Sequence, residues 1–422
     1  SIRYIGIVEK EYTILFFIIL IIVMVKDFVN IVLGGVVVIL ATCSCQPKAE
    51  PIESVISKGL DRAAEQAVLM AKELENKEGR LPKSIKDGKL ETSNCYWWCS
   101  GFFPGELWYL YEYTQKPELK KYAELYTDRL KKVQYVTTSH DVGFMLYCSY
   151  GNGLRLTDNE RYRDVLVQGA HSLSTRYNPV VKALRSWDHG DWQFPVIIDN
   201  MMNLELLTWA GKETGDTTLV NIATEHANTT LKNHFRKDYS TYHVVSYDTL
   251  TGLPDVKQTH QGYADESAWA RGQAWALYGY TMMARETGDE AYLQQAKHVA
   301  SFLMNHPRMP EDKVPYWDFD TPDIPNTTRD ASAAAVMASA LIELSQLDKS
   351  ADAPTYLAYA EDQLRSLTSP EYLAAKGTNC NFALMHSTGH FKANSEVDVP
   401  LSYADYYYVE ALMRLRKIYQ SK

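Results

Sequence analysis

From Glu50 onward the sequence reads as one helix after another, and this regularity limits the possible folds more than any other feature. Apolar residues recur at helical spacing, and the alternation typical of strands is almost absent. Together with residues that favour helix ends, the spacing predicts about twelve helices. Their ranges are 53–76, 101–113, 118–135, 141–156, 158–176, 196–213, 216–235, 265–286, 289–305, 329–346, 354–368 and 402–419. We therefore expect an all-α protein.

Short polar turns recur between successive helices of this series. Each contains a glycine suited to a helix C-terminus, or an Asp or Thr suited to cap the next helix. The turns occupy 113–117, 156–160, 213–217, 286–290 and 347–351. Helical hairpins of this kind either stack as an open solenoid or close into a double ring.

The composition of alternate helices favours the closed ring. Even-numbered helices carry small and aromatic residues almost all round, as in 330–340, whereas odd-numbered helices such as 118–134 and 291–305 are amphipathic. A helix that is apolar on every side is buried, and an amphipathic helix lies at the surface. We therefore expect residues 54–422 to form one (α/α)6 barrel of six helical hairpins, with inner and outer helices alternating.

The first 45 residues have a different character. A short charged start at Met24, the apolar run 28–41 and the following Thr-Cys-Ser-Cys-Gln-Pro are typical of a bacterial lipoprotein export signal. Cys43 and Cys45 are both candidates for lipidation, since Leu40 lies three residues before Cys43 and Ser44 directly precedes Cys45. The pattern predicts an exported protein, periplasmic or anchored in the membrane by lipid.

Two further interpretations concern the same end of the chain. Residues 1–23 duplicate the apolar run without an export-type start, which suggests that they are not part of the natural product, and 46–53 are expected to be a linker. The alternative is one or two transmembrane helices, because about 20 apolar residues span a bilayer.

Charge excludes one large class of function. The chain has 43 basic and 52 acidic side chains, a formal net charge of −9, so the positive surface expected of a nucleic-acid-binding protein is missing. An anionic ligand would therefore need a local cluster of hydrogen-bond donors or positive charges.

For the oligomeric state, we expect a monomer or a weak dimer.

The cysteines and histidines do not form a metal-binding or disulfide pattern. Cys95, Cys99, Cys148 and Cys380 are too few for a disulfide framework, and we expect buried thiols, with a Cys95–Cys99 bridge as the alternative. The histidines show no zinc motif, because a glycine interrupts the pair at 386 and 390. We expect no metal and no cofactor.

Polar and aromatic residues precede or open every even-numbered helix, where folding does not require them. In a closed ring these helix starts face the same end and form a concave mouth, whose positive helix ends favour an anion. Trp187, His189 and His243 lie on long connections that would surround this mouth. The groups at the helix starts are Trp97-Trp98, His140-Asp141, Asp199-Asn200, Gln261 to Trp275, Arg329-Asp330 and Ser402 to Asp405.

Three of these acids have a simpler interpretation as helix caps. Asp141, Asp199 and Asp330 lie near helix starts, where aspartate commonly caps the helix. Asp199 fits this interpretation least, because apolar residues surround it. An acid in apolar surroundings tends to have a raised pKa, as a general acid requires.

The remaining residues suggest the ligand. Arg271 lies between Trp269 and Trp275 in a segment too apolar for a solvated arginine, and it is interpreted as a fork for an anion. Trp98, beside a glycine-containing turn, suits a stacking platform. Carboxylates, indoles and an arginine at one mouth indicate an acidic carbohydrate, and a pair of acids alone would suggest ordinary glycoside hydrolysis.

Several motifs, in order along the chain, resemble the unsaturated glucuronyl hydrolases of glycoside hydrolase family 88. They are Ser186 to Leu207, Gln261 to Tyr263, Ser267 to Trp275, Val314 to Asp320 and Ser402 to Tyr407. The resemblance extends from about Ser54 to the C-terminus and implies an (α/α)6 barrel. It also implies removal of a 4,5-unsaturated uronic acid from the non-reducing end of oligosaccharides that polysaccharide lyases produce.

The resemblance also implies roles for individual residues. The enzymes of this family hydrate the C4=C5 vinyl ether instead of attacking the anomeric carbon. The resemblance assigns the role of general acid/base to Asp199 and that of the second essential acid to Asp141. Asp141 would lie close enough to raise the pKa of Asp199 or share its proton. The positions that match substrate-contacting residues are Trp98, His243, Gln261, Arg271 and Trp275. We also expect His140 to contact the substrate, because it adjoins Asp141, and Trp187, because it would lie at the mouth.

Three alternatives remain at this point. The related unsaturated rhamnogalacturonyl hydrolases share the fold and chemistry but act on pectin fragments. A sugar epimerase on the same fold would rely on a histidine pair and leave linkages intact. A lipoprotein that only captures acidic oligosaccharides would keep Arg271 and the indoles but would not need Asp199.

Overall fold

The structure is a computed structural model of the 422-residue chain, and it describes residues 20–26 and 50–421. The predicted export signal, including Cys43 and Cys45, lies outside the described residues except at 20–26, which are helical. Within the described ranges, we find no helix with the length and apolar character needed to cross a membrane. Contacts divide the chain into two units, Ser1–Pro51 and Ile52–Lys422. The second unit begins two residues before the barrel domain predicted from the sequence.

Helices make up most of the second unit. They are α1 Ile52–Leu74, α2 Phe102–Thr114, α3 Pro117–Asp128, α4 Val142–Leu146, α5 Asn152–Thr157, α6 Glu160–Ser174, α7 Leu204–Thr214, α8 Thr217–Asn233, α9 Ala270–Thr287, α10 Glu290–Met304, α11 Ala331–Leu347, α12 Ala353–Leu367 and α13 Ser402–Gln420. A π-helical turn at Tyr147–Gly151 joins α4 to α5, and a 3-10 helix at Ile198–Asn203 leads into α7.

The inner ring consists of α2, α4 with α5, α7 with its 3-10 turn, α9, α11 and α13. Each inner segment packs against the next, and α13 packs against α2, which closes the ring. Residues 270–284 of α9 and 331–342 of α11 are buried without interruption. Burying a Leu or Val side chain contributes about 1.5–3 kcal/mol, so the inner ring forms the main core.

The outer ring consists of α1, α3, α6, α8, α10 and α12, which are amphipathic as predicted. In α10, for example, Tyr292, Ala296, Val299 and Leu303 are buried, at the spacing of one helix face. The opposite face carries the polar residues. The predicted (α/α)6 barrel is confirmed.

Turn chemistry explains why the hairpins form. Gly215 and Gly288 end their helices with φ of 73° and 70°, a conformation that favours glycine. Asp216 and Asp289 then cap the following helices by accepting a backbone N–H two residues on. The sixth pair is formed without a turn, because α1 and α13 at the two ends of the unit pack together.

Three small antiparallel sheets lie in the long connections, where the sequence pattern indicated hardly any strand. Their strands are β1 Leu81–Lys86, β2 Lys89–Ser93, β3 Tyr177–Asn178, β4 Ala183–Leu184, β5 Pro195–Ile197, β6 Val244–Tyr247 and β7 Pro254–Gln258, paired β1-β2, β3-β4 and β5-β6-β7. Ile197 pairs with Val244, and the Ile198 N–H donates to the His243 carbonyl at 3.0 Å. This third sheet therefore places His243 beside Asp199.

The cysteines in the described part of the chain are free thiols. Cys99 is buried, whereas Cys95, Cys148 and Cys380 are partly exposed. Burial raises the pKa of the Cys95 and Cys99 thiols.

Candidate active site

A cavity of about 650 Å³ lies at the end of the barrel where the inner helices begin. Residues from five inner helix starts line it: Trp98 before α2, Asp141 before α4, Asp199 before α7, Arg271 in α9 and Tyr403 in α13. This volume lies in the usual range for small-molecule sites. The predicted mouth is therefore present, at the predicted end of the barrel.

Asp199 lies in the 3-10 helix that opens the third inner segment, and it is almost fully buried. Its Oδ1 atom has no hydrogen-bond partner among the described residues, and it lies 3.5 Å from His243 Nε2. A buried acid oxygen without a partner is costly to keep, so such groups are often functional. Its geometry fits a group that exchanges a proton with a ligand.

His243 has its tautomer fixed by the backbone. Its Nδ1 atom accepts the N–H groups of His260 at 3.0 Å and Gln261 at 3.1 Å. A nitrogen that accepts two hydrogen bonds cannot carry a proton, so the proton of the neutral ring is on Nε2. His243 therefore presents an N–H group towards Asp199.

Asp141 lines the same cavity, with 18% of its side chain exposed. Its Oδ2 atom accepts the Ser139 hydroxyl at 2.9 Å, and its Oδ1 atom lies 3.2 Å from His140 Nε2. Burial raises the pKa of Asp141, and the charge on Asp199 raises it further. The two acids expected to act together thus line one cavity, and the charge on Asp199 acts on Asp141.

Arg271 is fully buried, and much of its guanidinium group is already bonded within the protein. Nη1 donates to Asp330 Oδ2 at 2.8 Å and to the Thr388 carbonyl at 2.5 Å, and Nη2 donates to the Gly389 carbonyl at 2.6 Å. The group also packs between the rings of Trp269 and Tyr403. Since a guanidinium has five N–H donors, those that remain are the ones that can serve an anion in the cavity.

Two acids predicted at the mouth have structural partners instead. Asp330 is fully buried, caps α11 through the Ser332 N–H and pairs with Arg271. Asp405 accepts the N–H groups of Ala383 and Leu384. Neither lines the cavity, because both carboxylates are bonded to groups of the protein interior.

Aromatic side chains form part of the cavity wall. Trp98 is partly exposed and packs against Phe144 and Tyr403. Trp187 stacks on His189 with ring centroids 4.9 Å apart. His140 and Gln261 also line the cavity, and the Gln261 amide donates to the Gly389 carbonyl.

Trp275 differs from the sequence-based expectation. It is fully buried and lies outside the cavity lining, where it contacts Phe144 and Tyr407. Because it is one helical turn after Arg271, its side chain lies deeper along the barrel. In this structure Trp275 supports the floor of the cavity without contacting its interior. His243, which was also expected to contact the substrate, is likewise buried and is not part of the cavity lining.

His260, His390 and Glu396 also line the cavity, although none of them was expected there from the sequence. Burial, together with the neighbouring histidines His243, His390 and His189, lowers the pKa of His260 to about 4. His390 and Glu396 lie on a short hairpin closed by hydrogen bonds from Gly389 to Glu396 and from His390 to Ser395. The position of His260 directly before Gln261 was the one available sequence signal.

The described residues contain no group of three or more His, Cys, Asp or Glu side chains arranged to hold a metal ion.

Residues 70–378 match the model of Glycosyl Hydrolase Family 88. An unsaturated glucuronyl hydrolase from Formosa agariphila is 49% identical over 324 residues, which cover 76% of this chain and 80% of that protein.

Solved structures agree with the sequence comparison. An unsaturated glucuronyl hydrolase specific for heparin has a TM-score of 0.85 and 51% identity, covering 87% of this chain and 98% of its own. The unsaturated glucuronyl hydrolase from Bacillus sp. GL1, responsible for degradation of glycosaminoglycan, has a TM-score of 0.80 and 29% identity, covering 86% and 97%.

Proposed function

The chain belongs to glycoside hydrolase family 88, and we propose that Asp199 and Asp141 perform its reaction in the cavity described above. The enzyme is a glycosidase of the unsaturated glucuronyl hydrolase type. It removes a 4,5-unsaturated glucuronic acid from the non-reducing end of lyase-generated oligosaccharides of the glycosaminoglycan type.

The observation that carries the assignment of residues is the unpartnered, buried Oδ1 atom of Asp199 beside Asp141. Asp199 donates a proton to C4 of the vinyl ether, and positive charge develops at C5 and the ring oxygen. Water adds to C5 and returns a proton to the Asp199 carboxylate. The hemiketal opens to a C5 ketone, and the hemiacetal left at C1 releases the next sugar.

Asp141 keeps the required proton in the cavity. Burial raises the pKa of Asp141, and the charge on Asp199 also raises it, so Asp141 holds a proton to higher pH than an ordinary aspartate. His243 directs its Nε2–H group towards Asp199 Oδ1 at 3.5 Å without forming a hydrogen bond in this structure, and we propose that it orients the ionised form of Asp199 during the reaction.

Binding of the uronate depends on local groups, because the protein as a whole is acidic. The remaining donors of Arg271 and the inner helix starts provide positive potential for the carboxylate. Trp98 and Trp187 provide flat surfaces for the sugar rings, and Gln261 and His140 provide polar contacts.

The test follows the ultraviolet absorbance of the conjugated uronate, which hydration of C4=C5 removes. We expect the wild-type enzyme to abolish the absorbance of unsaturated disaccharides and Asp199→Asn to leave it almost unchanged. Wild-type turnover in Asp199→Asn, with its fold verified by circular dichroism, would refute the role of Asp199.

We also propose a preference for heparin-type disaccharides. The support is the 51% identity to the relative described as specific for heparin. A panel of unsulfated, 2-sulfated, 4-sulfated and 6-sulfated unsaturated disaccharides tests this preference. Higher kcat/KM on chondroitin-type than on heparin-type members would contradict it.

Export as a lipoprotein is a further proposal, based on the run 28–41 and the cysteines that follow it. Labelling with a fatty-acid analogue in a bacterial host should mark the wild-type chain. Loss of label in Cys43→Ala or in Cys45→Ala identifies the acceptor, and absence of label in the wild type contradicts the proposal.

A further inference from the structure

Asp141 occupies the N-cap position of α4 but does not cap the helix. Its side chain accepts no hydrogen bond from the first described turn of α4 and lines the cavity instead. A capping aspartate normally accepts the backbone N–H two or three residues on. At α4 the N–H of Phe144, the third helical residue, donates to Asn203 Oδ1 at 2.8 Å.

Asn203 thus caps a helix other than its own. It immediately precedes α7, yet its side chain makes no capping bond to that helix. It ends the 3-10 turn that carries Asp199, so its hydrogen bond to Phe144 connects the segments that hold the two acids.

The backbones of these segments are in direct contact at Gly143. A Cβ atom at Gly143 would lie 2.6 Å from Asn203 Cα and 2.8 Å from the Asn203 carbonyl oxygen. Both residues are buried, and only glycine allows this approach. The start of α4 is therefore fixed against the turn that carries Asp199.

Within the described part of the chain, the Asn203 side chain forms its hydrogen bond through the oxygen alone. Its Nδ2 atom is buried and has no hydrogen-bond partner in the described part of the chain. An unpaired buried amide is unfavourable for folding. The benefit of the residue must come from the oxygen that receives the Phe144 N–H.

We propose that Asn203 is a positioning residue that caps α4 in place of Asp141 and thereby keeps the Asp141 carboxylate in the cavity beside Asp199. This inference rests on the roles proposed above for the two acids.

Loss of the Asn203 oxygen should change the behaviour of Asp141. The Phe144 N–H would be left without an acceptor, and the Asp141 carboxylate, at the standard capping position, would turn to accept it. Hydrogen bonds to the ionised carboxylate lower its pKa. The other charged groups that act on Asp141, namely His140 and Arg176, which favour its ionised form, and Asp199, which opposes it, would remain.

The experiment compares Asn203→Ala, Asn203→Leu and Asn203→Asp with the wild type. Asn203→Leu removes the acceptor but keeps the volume, and Asn203→Asp keeps an oxygen at the same position. Asn152→Ala is the matched control, because Asn152 is a buried asparagine of the inner segment that carries Asp141, and its amide contacts Cys148 and Tyr406 at a distance from the cavity.

We expect Asn203→Ala and Asn203→Leu to lower kcat about 100-fold, the cost of misplacing a catalytic group by about 1 Å, with little change in KM. The high-pH limb of the kcat profile should move to lower pH. Asn203→Asp should recover most of kcat, and Asn152→Ala should keep the wild-type profile.

Wild-type kcat and pH profile in Asn203→Ala or Asn203→Leu would overturn the proposal. So would a loss of kcat with an unshifted pH limb, or an equal loss in Asn152→Ala. Failure of both Asn203→Ala and Asn203→Leu to fold would also overturn it, since the residue would then be a requirement of the fold.

The same measurements separate this inference from the proposed function. An inactive wild-type enzyme, or full activity in Asp199→Asn, would refute the proposed function itself. An active wild type with inactive Asp199→Asn and Asp141→Asn, but unaffected Asn203 variants, would refute only the role of Asn203.

Discussion

His243 Nε2 lies 3.5 Å from Asp199 Oδ1, and the other ring nitrogen of His243 is held by two backbone N–H groups. The ring can therefore donate to Asp199 but cannot take a proton on Nδ1 without losing both backbone bonds. In the proposed mechanism this makes Asp199 the group that exchanges protons and His243 the group that orients it.

Replacement of His243 by alanine should therefore lower kcat more than it raises KM. A hydrogen bond from His243 to the ionised Asp199, formed during the reaction, would be worth about 1.5–3 kcal/mol, which corresponds to a fall in kcat of about 10-fold to 150-fold. Steady-state kinetics on an unsaturated disaccharide measures both constants. His171→Ala on the exposed face of α6 is the control. A rise in KM with unchanged kcat in His243→Ala would contradict the orienting role.

Asp141→Asn should stabilise the folded protein at neutral pH while reducing activity. The pKa of Asp141 is raised by burial, so the folded state binds more protons than the unfolded state between the two pKa values. The free energy of unfolding therefore falls as pH rises between these two pKa values. Above them, the ionised Asp141 side chain destabilises the folded state. Asparagine removes this unfavourable charge.

Thermal unfolding at pH 5 and pH 8 tests this prediction. The difference in melting temperature between Asp141→Asn and the wild type should be larger at the higher pH. A lower melting temperature of the variant at pH 8 would show that the carboxylate stabilises the fold.

The sequence predicted the barrel well because its signals are local. Helical spacing, glycine at the ends of α7 and α9, and capping by Asp216 and Asp289 all act within a few residues. The same spacing separated inner from outer helices. Strands β5 and β6 were not predicted, because they have only three and four residues, too few for an alternating pattern.

The site was predicted less completely, because its details depend on distant contacts. Arg271 bonds to Asp330 and to the carbonyls of Thr388 and Gly389, which are 59 to 118 residues away in sequence. No local pattern encodes these partners. The depth of Trp275 is likewise set by the packing of the whole ring.

Trp98 and Trp275 should respond differently to substitution. Trp98 lines the cavity, whereas Trp275 lies beneath it against Phe144 and Tyr407. Aromatic contacts are worth about 0.5–1.5 kcal/mol, so Trp98→Ala should raise KM about 3-fold to 10-fold. Trp275→Phe should leave KM close to the wild-type value and lower the melting temperature.

Kinetics and thermal unfolding of both variants distinguish the two positions. Trp98→Phe, which keeps an aromatic face, is the control for the first position. A large rise in KM for Trp275→Phe without loss of stability would place that indole in contact with the substrate.

Glu106 and Asp405 form a second pair of buried acids, away from the cavity, and they should control how stability depends on pH. Burial raises the pKa of Glu106, and the charge on Asp405 raises it further. Burial also raises the pKa of Asp405 to about 7, against the hydrogen bonds from Ala383 and Leu384. Both acids therefore bind protons more tightly in the folded state than in the unfolded chain.

Stability should consequently fall as pH rises from about 4, where an exposed aspartate ionises, through the value of about 7 for Asp405. Glu106→Gln removes one of the two acids and keeps its shape, so it should raise the melting temperature at pH 8 and have less effect at pH 5. Glu78→Gln on the exposed surface is the control. Thermal unfolding across this pH range measures the melting temperatures. A wild-type melting temperature that increases from pH 5 to pH 8, with the same increase in Glu106→Gln, would contradict the prediction.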